Sequence, residues 1–266
     1  MSYKRLRNAL LISAFAVSLS LGSATIYAEE STEAATEATT EAADSAETHI
    51  VKDYFDREVE IPVNLTKVAV CDSYNMECIN VLGAVDTVAG VDSFIANDTE
   101  AWGRVFTQDE TISNDNDEVN YEAVVNMGCQ LFITSECYDY QTAIDQLEPF
   151  GIKVVVCKAY DTTNFFNNMK LFGEIFNKED RAQEICDYFQ SNLDYVNKQL
   201  DGVEKKRVYF EYRNPGRVTI PGDSFYNMIE YAHADNLFAD SETKDIDIEA
   251  VVEANPDYIV KVSEPN

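Results

Sequence analysis

Polar and aromatic side chains follow three apolar runs in the first half of the chain, and their types suit ligand binding. The runs are 67–71, 87–91 and 131–134, and the side chains after them are Asp72, Ser73 and Tyr74, then Asp92, Ser93 and Phe94, then Ser135, Glu136 and Tyr138. Hydroxyl and carboxylate groups anchor the polar parts of a ligand, and aromatic rings stack on its flat or apolar parts. We therefore predict that these side chains line a binding cleft.

A second group of such side chains lies near the end of the chain. Its members are Glu211, Tyr212 and Arg213, around the end of the apolar run 207–212, and Ser224, Phe225 and Tyr226, at the start of a predicted helix. Arginine forms two parallel hydrogen bonds with a carboxylate or a phosphate. We predict that Arg213 binds an anionic group of the ligand.

The single tryptophan, Trp102, lies in a long loop between residues 91 and 121 that is rich in Asn and Asp. Long exposed loops often carry binding residues. We predict that Trp102 is an aromatic lid at the edge of the cleft, and the alternative is that it anchors the loop by packing.

Catalysis at Ser224 is the enzymatic alternative, because residues 222–225 resemble the Gly-Asp-Ser-Leu block of certain serine esterases. Such a serine needs a positioned base, usually a histidine. The chain has two histidines, His49 and His233, and no Asp-x-x-His follows the block. The sequence also lacks a Gly-x-Ser-x-Gly motif, a phosphate loop and a dinucleotide-binding motif. The prediction is a protein that is not an enzyme, with a secreted serine esterase as the weaker alternative.

The six cysteines are Cys71, Cys78, Cys129, Cys137, Cys157 and Cys186. They form no Cys-x-x-Cys pair, and no disulfide follows from their spacing. We predict buried free thiols. Since Cys71, Cys137 and Cys157 fall near the carboxyl ends of predicted strands, ligation of a soft metal or haem is the alternative.

The chain is strongly acidic, with 20 Lys and Arg against 48 Asp and Glu and a formal net charge of -28. A nucleic-acid-binding protein needs a basic surface, so this class is excluded. The negative charge suits a cation. A receptor for a bare divalent metal ion is therefore a second binding alternative, although two histidines are few for such a site.

The first 28 residues predict a signal peptide. Lys4, Arg5 and Arg7 precede an apolar run at 9–21, and a small residue ends the segment at Ala28. Residues 29–49 repeat Thr, Glu and Ala and predict a disordered acidic linker. We expect an exported protein, periplasmic, extracellular or at the cell surface. The first cysteine is Cys71, so no cysteine for lipid attachment directly follows the apolar run.

Short apolar strands alternate with helices along the rest of the chain. Residues 50–63 predict a β-hairpin, the predicted strands are 67–71, 87–91, 131–134, 153–157, 207–212 and 258–262, and the predicted helices are 74–82, 121–127, 142–150, 224–232 and 248–254. Continuous apolar strands that alternate with helices are typical of parallel sheets covered on both faces. We predict two Rossmann-like α/β lobes, 50–160 and 204–266.

Between the lobes, apolar residues recur at spacings of three and four from 162 to 200 without a proline. This pattern predicts one long connecting helix within 161–203, or two helices with a break near Gly173 or Asn177. A single helix would act as a stiff rod between two lobes, with a cleft between them. The tetrapeptide Glu-Ala-Val-Val occurs at 122–125 and at 249–252, each time before an apolar strand, which indicates that the lobes are related.

The order of these segments resembles the ABC-transporter substrate-binding proteins that capture iron-siderophore complexes, haem or cobalamin. The resemblance extends from about residue 50 to the end of the chain. It is carried by the hairpin at 53–62, LGAVDTVAGV at 82–91, FGIKVVV at 150–156 and EAVVEANPDYIV at 249–260. It implies the class III fold of such proteins, in which two α/β lobes joined by one helix close only slightly on their ligand.

The resemblance also implies a ligand and a partner. The ligand would be an iron-siderophore, haem or cobalamin-type complex, carried as cargo and not as a cofactor, and the partner a membrane permease. A monomeric receptor would contact this permease through Glu122 and Glu249. Asn120 and Asp247 stand where helix N-caps would, and negative charge in a first helical turn is favourable without any partner. Such proteins have further strands and helices in the second lobe, so the resemblance implies that the second lobe is incomplete here.

Overall fold

The computed structural model describes residues 47–113, 118–223 and 225–262, which lie in one compact unit. The predicted signal peptide and most of the predicted linker lie outside these residues. The expected linker does not extend to residue 49, because β1 (Thr48–Lys52) begins at Thr48 and pairs antiparallel with β2 (Glu58–Pro62). The predicted hairpin is therefore confirmed. Its turn is closed by Asp53, whose buried carboxylate accepts hydrogen bonds from the Arg57 guanidinium, the shorter at 2.6 Å.

The first lobe contains a four-stranded parallel sheet. Its strands are β3 (Val68–Val70), β4 (Val88–Val91), β5 (Leu131–Ser135) and β6 (Lys153–Cys157), in the order β4-β3-β5-β6. The four predicted strands and their parallel arrangement are confirmed. They are almost entirely buried, because helices and the hairpin cover both faces of the sheet. The chain order reverses between β3 and β5, which is where ligands bind in open parallel sheets.

Helices α1 to α4 connect these strands. They are α1 (Ser73–Val81), α2 (Ser93–Asn97), α3 (Tyr121–Asn126) and α4 (Tyr140–Leu147). Each begins after an Asp or Asn whose side-chain oxygen accepts a hydrogen bond from a backbone N–H of the first turn. Helix α2 was not predicted.

The prediction of one connecting helix is wrong, and the alternative of two helices with a break near Asn177 is confirmed. The segment folds into α5 (Phe165–Phe176) and α6 (Glu179–Gln199). Asn177 adopts a left-handed conformation, φ 51°, and ends α5. Helix α6 then runs back along α5, since the Phe165 and Phe189 rings lie 4.4 Å apart. A Cβ atom at Gly173 would stand 2.8 Å from the Ala182 Cβ, so the glycine permits this close approach. Helix α5 packs in the core of the first lobe, and α6 leads into the second.

The second lobe contains a three-stranded parallel sheet in the order β8-β7-β9. Its strands are β7 (Lys206–Tyr212), β8 (Ala234–Asn236) and β9 (Tyr258–Val262), and its helices are α7 (Tyr226–Tyr231) and α8 (Ile248–Ala254). The sequence did not predict β8. The repeated tetrapeptide starts at the second residue of α3 and of α8, and each of these helices directly precedes a strand. The two lobes therefore share this order of helix and strand, as predicted. Among the described residues, no helix is both long and apolar enough to cross a bilayer.

Candidate ligand-binding cleft

Two adjoining cavities lie where the lobes face each other, and Tyr160 and Phe225 line both. The first, which we call the apolar cavity, has a volume of about 310 Å³ and is lined chiefly by Tyr74, Val81, Phe165, Met169, Ile185 and Met228. The second, the polar cavity, has a volume of about 210 Å³ and is lined by Tyr212, Arg217, Val218, Thr219, Asp223 and Lys244. Both lobes and the α5–α6 pair contribute side chains. The predicted cleft is therefore present.

A network of carboxylates lies at the carboxyl edge of the first sheet. The Asp72 carboxylate accepts hydrogen bonds from the Tyr74 backbone N–H, at 3.0 Å, and from the Ser135 hydroxyl. The Asp72 backbone N–H donates to Asp92 Oδ2 at 2.6 Å, which joins β3, β4 and β5. Burial raises the pKa of both Asp72 and Asp92 above the usual value. Asp72, Asp92 and Ser135 therefore hold the strand ends together and set the start of α1 beside the cleft.

Tyr160 is one of the cleft residues that the sequence analysis missed. Its hydroxyl donates a hydrogen bond to Glu136 Oε1, and its ring lies 6.1 Å from that of Tyr74. The other oxygen, Glu136 Oε2, is buried and has no hydrogen-bond partner within the part of the chain that the structure describes. Burial, followed by the contact with Glu136, raises the pKa of Tyr160, so the phenol stays protonated. Tyr160 follows the end of β6 at Cys157, and the strand-end rule applied to that fourth strand would have found it.

Tyr74, Tyr212 and Arg213 face one another across the cleft, although they come from different lobes. Burial is the main cause of a raised pKa at Tyr74; Asp72, Glu77 and Tyr212 add to it, and Arg213 opposes it. The Arg213 guanidinium lies 5.0 Å from the centre of the Tyr212 ring. Arg213 lies outside both cavity linings, so it occupies the rim instead of the interior.

Phe225 forms the wall shared by the two cavities. It stacks on Phe210 with ring centres 5.4 Å apart, and the Tyr212 ring lies 5.3 Å away on the same cluster. Stacked rings of this kind hold an apolar surface rigid at low entropic cost. Ser224, which was predicted beside it, lies outside the described residues, and Tyr226 begins α7 without lining either cavity.

Trp102 does not form the predicted lid. The side chain is 5% exposed, packs in the core of the first lobe, and donates from Nε1 to the Ile95 carbonyl at 2.9 Å. A buried indole needs a partner for its N–H, and this backbone oxygen satisfies it. The alternative, a packing anchor for the loop, is the arrangement in the structure.

Four other predicted residues line neither of the two cavities. Ser93 and Phe94 begin α2, and the Phe94 ring is exposed to solvent. Tyr138 lines a separate cavity of about 270 Å³ with Phe132 and Tyr121. Ser73 begins α1 at the cleft but lines neither cavity, whereas the next residue, Tyr74, does.

The six cysteines all lie among the described residues and form no disulfide there; five of them are buried as predicted, while Cys137 is exposed. Cys78 lines the apolar cavity, and burial raises the pKa of its thiol to about 12. This thiol therefore contributes an uncharged, apolar surface to the cavity at neutral pH. Within the described ranges, no group of three or more His, Cys, Asp or Glu side chains is arranged to hold a metal ion.

Glu122 and Glu249, the predicted docking residues, are exposed and lie in the first turns of α3 and α8. Asn120 caps α3 by accepting from the Ala123 N–H at 3.0 Å, and Asp247 caps α8 by accepting from the Glu249 N–H at 3.0 Å. The two acidic residues thus occupy equivalent places in the two lobes and are both accessible to a partner.

Comparison with known proteins adds to this geometry. A sequence profile for a family described as periplasmic binding protein matches residues 68–264. No curated protein matches the sequence significantly. Three similar solved structures carry the titles of the haem binding protein HmuT, of MolA from Haemophilus influenzae bound to molybdate, and of CeuE from Helicobacter pylori with Ni(II) bound.

The likeness to these structures extends over most of each chain. HmuT is 18% identical with a TM-score of 0.60, and the match covers 84% of this chain and 74% of that one. MolA is 20% identical with a TM-score of 0.62, covering 80% and 73%. CeuE is 19% identical with a TM-score of 0.63, covering 82% and 73%. At these identities the likeness establishes a shared fold.

Proposed function

This chain belongs to the periplasmic binding protein family, and we propose that it captures an iron-siderophore, haem or cobalamin-type complex outside the cytoplasm for an ABC importer. Proteins of this family bind small-molecule solutes, are not enzymes, and work with a membrane permease. The family assignment removes the serine-esterase alternative. The proposed boundaries are a first lobe at 50–160 and a second at 204–266, with α5 and α6 between them.

The observation that carries the proposal is the cleft with aromatic side chains from both lobes. Tyr74 and Tyr160 come from the first lobe, and Tyr212 and Phe225 from the second. Rings on opposite sides of a gap can hold the flat or apolar surface of a large chelate between them. A bare ion has no surface for such rings to contact.

The size and lining of the apolar cavity also favour a sizeable ligand. Its volume is about 310 Å³, and it joins the polar cavity of about 210 Å³ through Tyr160 and Phe225. Binding sites for small molecules are commonly concave, mostly apolar and furnished with a few polar groups. A metal chelate combines these features, because an organic shell surrounds its polar centre.

A bare divalent metal ion is the second candidate, and the net charge of -28 favours it. An acidic protein concentrates cations near its surface. Glu136 Oε2, which has no hydrogen-bond partner among the described residues, would supply an oxygen ligand beside the cleft. The two candidates predict different responses to a chelator, since a chelator removes a bare ion but not the intact organic complex.

A binding screen of the purified full chain tests the proposal. Ferric siderophores, haem, cyanocobalamin and free divalent metal ions are titrated separately, with tyrosine fluorescence and ligand absorbance as readouts. We expect one of the complexes to bind, and Tyr160→Ala to weaken this binding at least tenfold, while Tyr195→Ala on the exposed face of α6 leaves it unchanged. If only free metal ions bind, and EDTA removes them, the chelate proposal is wrong and the second candidate replaces it.

A further inference from the structure

The Thr219 hydroxyl in the polar cavity lacks a hydrogen-bond partner. Thr219 is 2% exposed, it lines the cavity, and its Oγ1 is buried with no hydrogen-bond partner among the described residues. A buried hydroxyl without a partner costs free energy, and such groups in native proteins call for an explanation. A ligand atom in the cavity would supply the missing partner.

Thr219 is held firmly in place by its neighbours. Its carbonyl oxygen accepts a hydrogen bond at 3.1 Å from Nδ2 of Asn236, which is itself buried in β8. The adjacent Val218 N–H donates to the Lys244 carbonyl at 2.7 Å. These bonds fix the backbone of residues 218 and 219 beside Lys244, so the Thr219 side chain stays at the wall of the polar cavity.

Two cations line the same cavity, and their existing partners leave donors available. The Lys244 ammonium contacts Asp223 Oδ1, and the other oxygen of Asp223 accepts from the Ile220 N–H at 3.1 Å. The Arg217 guanidinium approaches Asp245 at 3.3 Å, but that carboxylate is 73% exposed, and exposed pairs contribute little. An ammonium has three donors and a guanidinium five, so each keeps N–H groups for a ligand.

The backbone before Arg217 is built in a shape that requires glycine. Gly216 has φ +81°, and a Cβ atom there would collide with the Ile246 carbonyl oxygen. The Gly216 N–H donates at 3.0 Å to the Tyr209 hydroxyl, and the Ile246 N–H donates to the Gly216 carbonyl at 2.9 Å. This turn places Arg217 at the carboxyl end of β7, over the cavity, and keeps it there without a ligand.

The two sides of the cleft differ in their balance of charge. Arg217 and Lys244 line the second-lobe side, where each is balanced by one carboxylate, whereas Glu77 and Glu136 lie at the first-lobe side. In a chain with a net charge of -28, two cations in one cavity are a local exception. An anionic group on a ligand would therefore enter the cleft with that end towards the second lobe.

We propose that the polar cavity binds an oxyanionic group of the ligand, a carboxylate or a phosphate. Its oxygens accept hydrogen bonds from the Thr219 hydroxyl, the Arg217 guanidinium and the Lys244 ammonium, and these charge-assisted bonds select anionic ligands over neutral ones. The inference rests on the proposed function, because it assumes that the cleft holds the transported solute.

The test uses two simple probes, orthophosphate and citrate, with the purified full chain. Thermal unfolding is followed against the concentration of each probe, because a ligand that binds the folded state raises the midpoint by an amount that grows with the logarithm of its concentration relative to Kd. We expect at least one probe to raise the midpoint. Thr219→Val, which keeps the shape of the side chain, and Lys244→Met should each weaken that binding about tenfold or more.

Lys205→Met is the matched control, because Lys205 is also a half-exposed lysine of the second lobe with a carboxylate partner, Glu230, at 3.5 Å. It should bind the probes as the native chain does. The identity of the active probe assigns the group, since a response to orthophosphate alone indicates a phosphate and a response to citrate alone a carboxylate. Absence of any response, or equal binding by Thr219→Val and the native chain, overturns the proposal.

The binding screen with metal complexes distinguishes failure of the oxyanion site from failure of the proposed function. If a chelate binds and neither Thr219→Val nor Lys244→Met changes its affinity, the oxyanion site is wrong and the proposed function stands. If the anions bind as expected and no chelate does, the cavity is an oxyanion site and the proposed cargo is wrong.

Discussion

The Tyr160 hydroxyl donates a hydrogen bond to Glu136 Oε1, and this bond joins the carboxyl ends of β5 and β6 at the cleft. It orients the Tyr160 ring, which faces Tyr74 and lines both cavities. Glu136 Oε2 stays buried and finds no hydrogen-bond partner among residues 47–113, 118–223 and 225–262. One contact thus couples the aromatic wall of the cleft to an acceptor that a ligand can use.

Removal of this hydroxyl should destabilise the protein. In Tyr160→Phe the ring remains, but the Glu136 carboxylate loses its donor, so the free energy of unfolding should fall by about 1–3 kcal/mol. Urea denaturation at neutral pH measures the change. Tyr188→Phe is the control, because Tyr188 is 73% exposed on α6 and its hydroxyl is free to bond to water. Equal stabilities of the Tyr160→Phe variant and the native chain would contradict the role assigned to the bond.

The stability of the protein should depend on pH through Asp72. Burial raises the pKa of Asp72 in the folded state above 3.8, so folding favours the protonated form, and ionisation of Asp72 costs stability as pH rises above 3.8. Asp72→Asn removes this cost, while asparagine tolerates the positive φ of 79° and can still cap α1. The stability of this variant relative to the native chain should therefore increase from pH 4 to pH 7 in urea denaturation.

Asp139→Asn should show the opposite trend. Hydrogen bonds from Thr142 lower the pKa of Asp139, so its ionised form supports folding above 3.8, and this support is lost as pH falls through the lowered pKa. The relative stability of Asp139→Asn should therefore decrease as pH rises. The same trend for both variants would show that the Asp72 network does not act through burial.

The close contact between α5 and α6 should depend on Gly173. Gly173→Ala places a Cβ atom 2.8 Å from the Ala182 Cβ and 3.3 Å from the Glu179 Cα. Overpacking of this kind typically costs about 1–3 kcal/mol. Urea denaturation should show this loss. The double variant Gly173→Ala with Ala182→Gly should recover part of it, and a double variant that is no more stable than Gly173→Ala would rule out this contact as the cause.

Charge reversal of the two docking residues should separate transport from binding. In Glu122→Lys with Glu249→Lys, ligand affinity should stay unchanged because both side chains are exposed outside the cleft, while binding to the cognate permease in nanodiscs is abolished. Glu179→Lys with Glu253→Lys is the control, since it changes the same charge at exposed helical positions. Equal loss of ligand affinity in the first variant would remove the docking role.

Closure of the lobes on a ligand should be small. Helix α6 spans 21 residues; it packs against α5 through Ala182 and against α7 through Phe189, whose ring lies 5.9 Å from that of Tyr231. Spin labels on Glu122→Cys and Glu249→Cys, in a Cys137→Ser background that removes the exposed native thiol, report the distance between the lobes. We expect this distance to change by only a few ångströms on binding. A rotation of tens of degrees would contradict it.

Several features of the fold follow from local sequence. The apolar runs that predicted β3, β5, β6 and β7 are buried parallel strands, because a run with no polar face is stable only when both faces are covered. Asn120 and Asp247 cap helices as expected, since a cap depends on atoms two or three residues away. The family resemblance likewise depended on the order of such segments, and the profile match confirms it.

Other features depend on contacts between residues that are distant in the chain. The spacing of apolar residues from 162 to 200 is the same whether the segment forms one helix or two. The chain turns at Asn177 because α6 packs on α5, at the close approach that Gly173 permits. Trp102 is in the core because its ring packs in the apolar cluster of the first lobe, which includes residues of α5, and the Ile95 carbonyl accepts its N–H. Composition and periodicity contain no information on either contact.

The binding site shows the same division. The strand-end rule located the cleft and found Tyr74, Tyr212 and Phe225, since the edge of a parallel sheet is set by strand direction alone. Which side chains point into the gap was decided by tertiary structure. Thr219 and Lys244 line the same cavity because the Val218 N–H bonds to the Lys244 carbonyl, although these two residues are 26 positions apart in the chain. Local hydrogen bonds and burial determine the elements, whereas the packing of one element on another determines which atoms remain for a ligand.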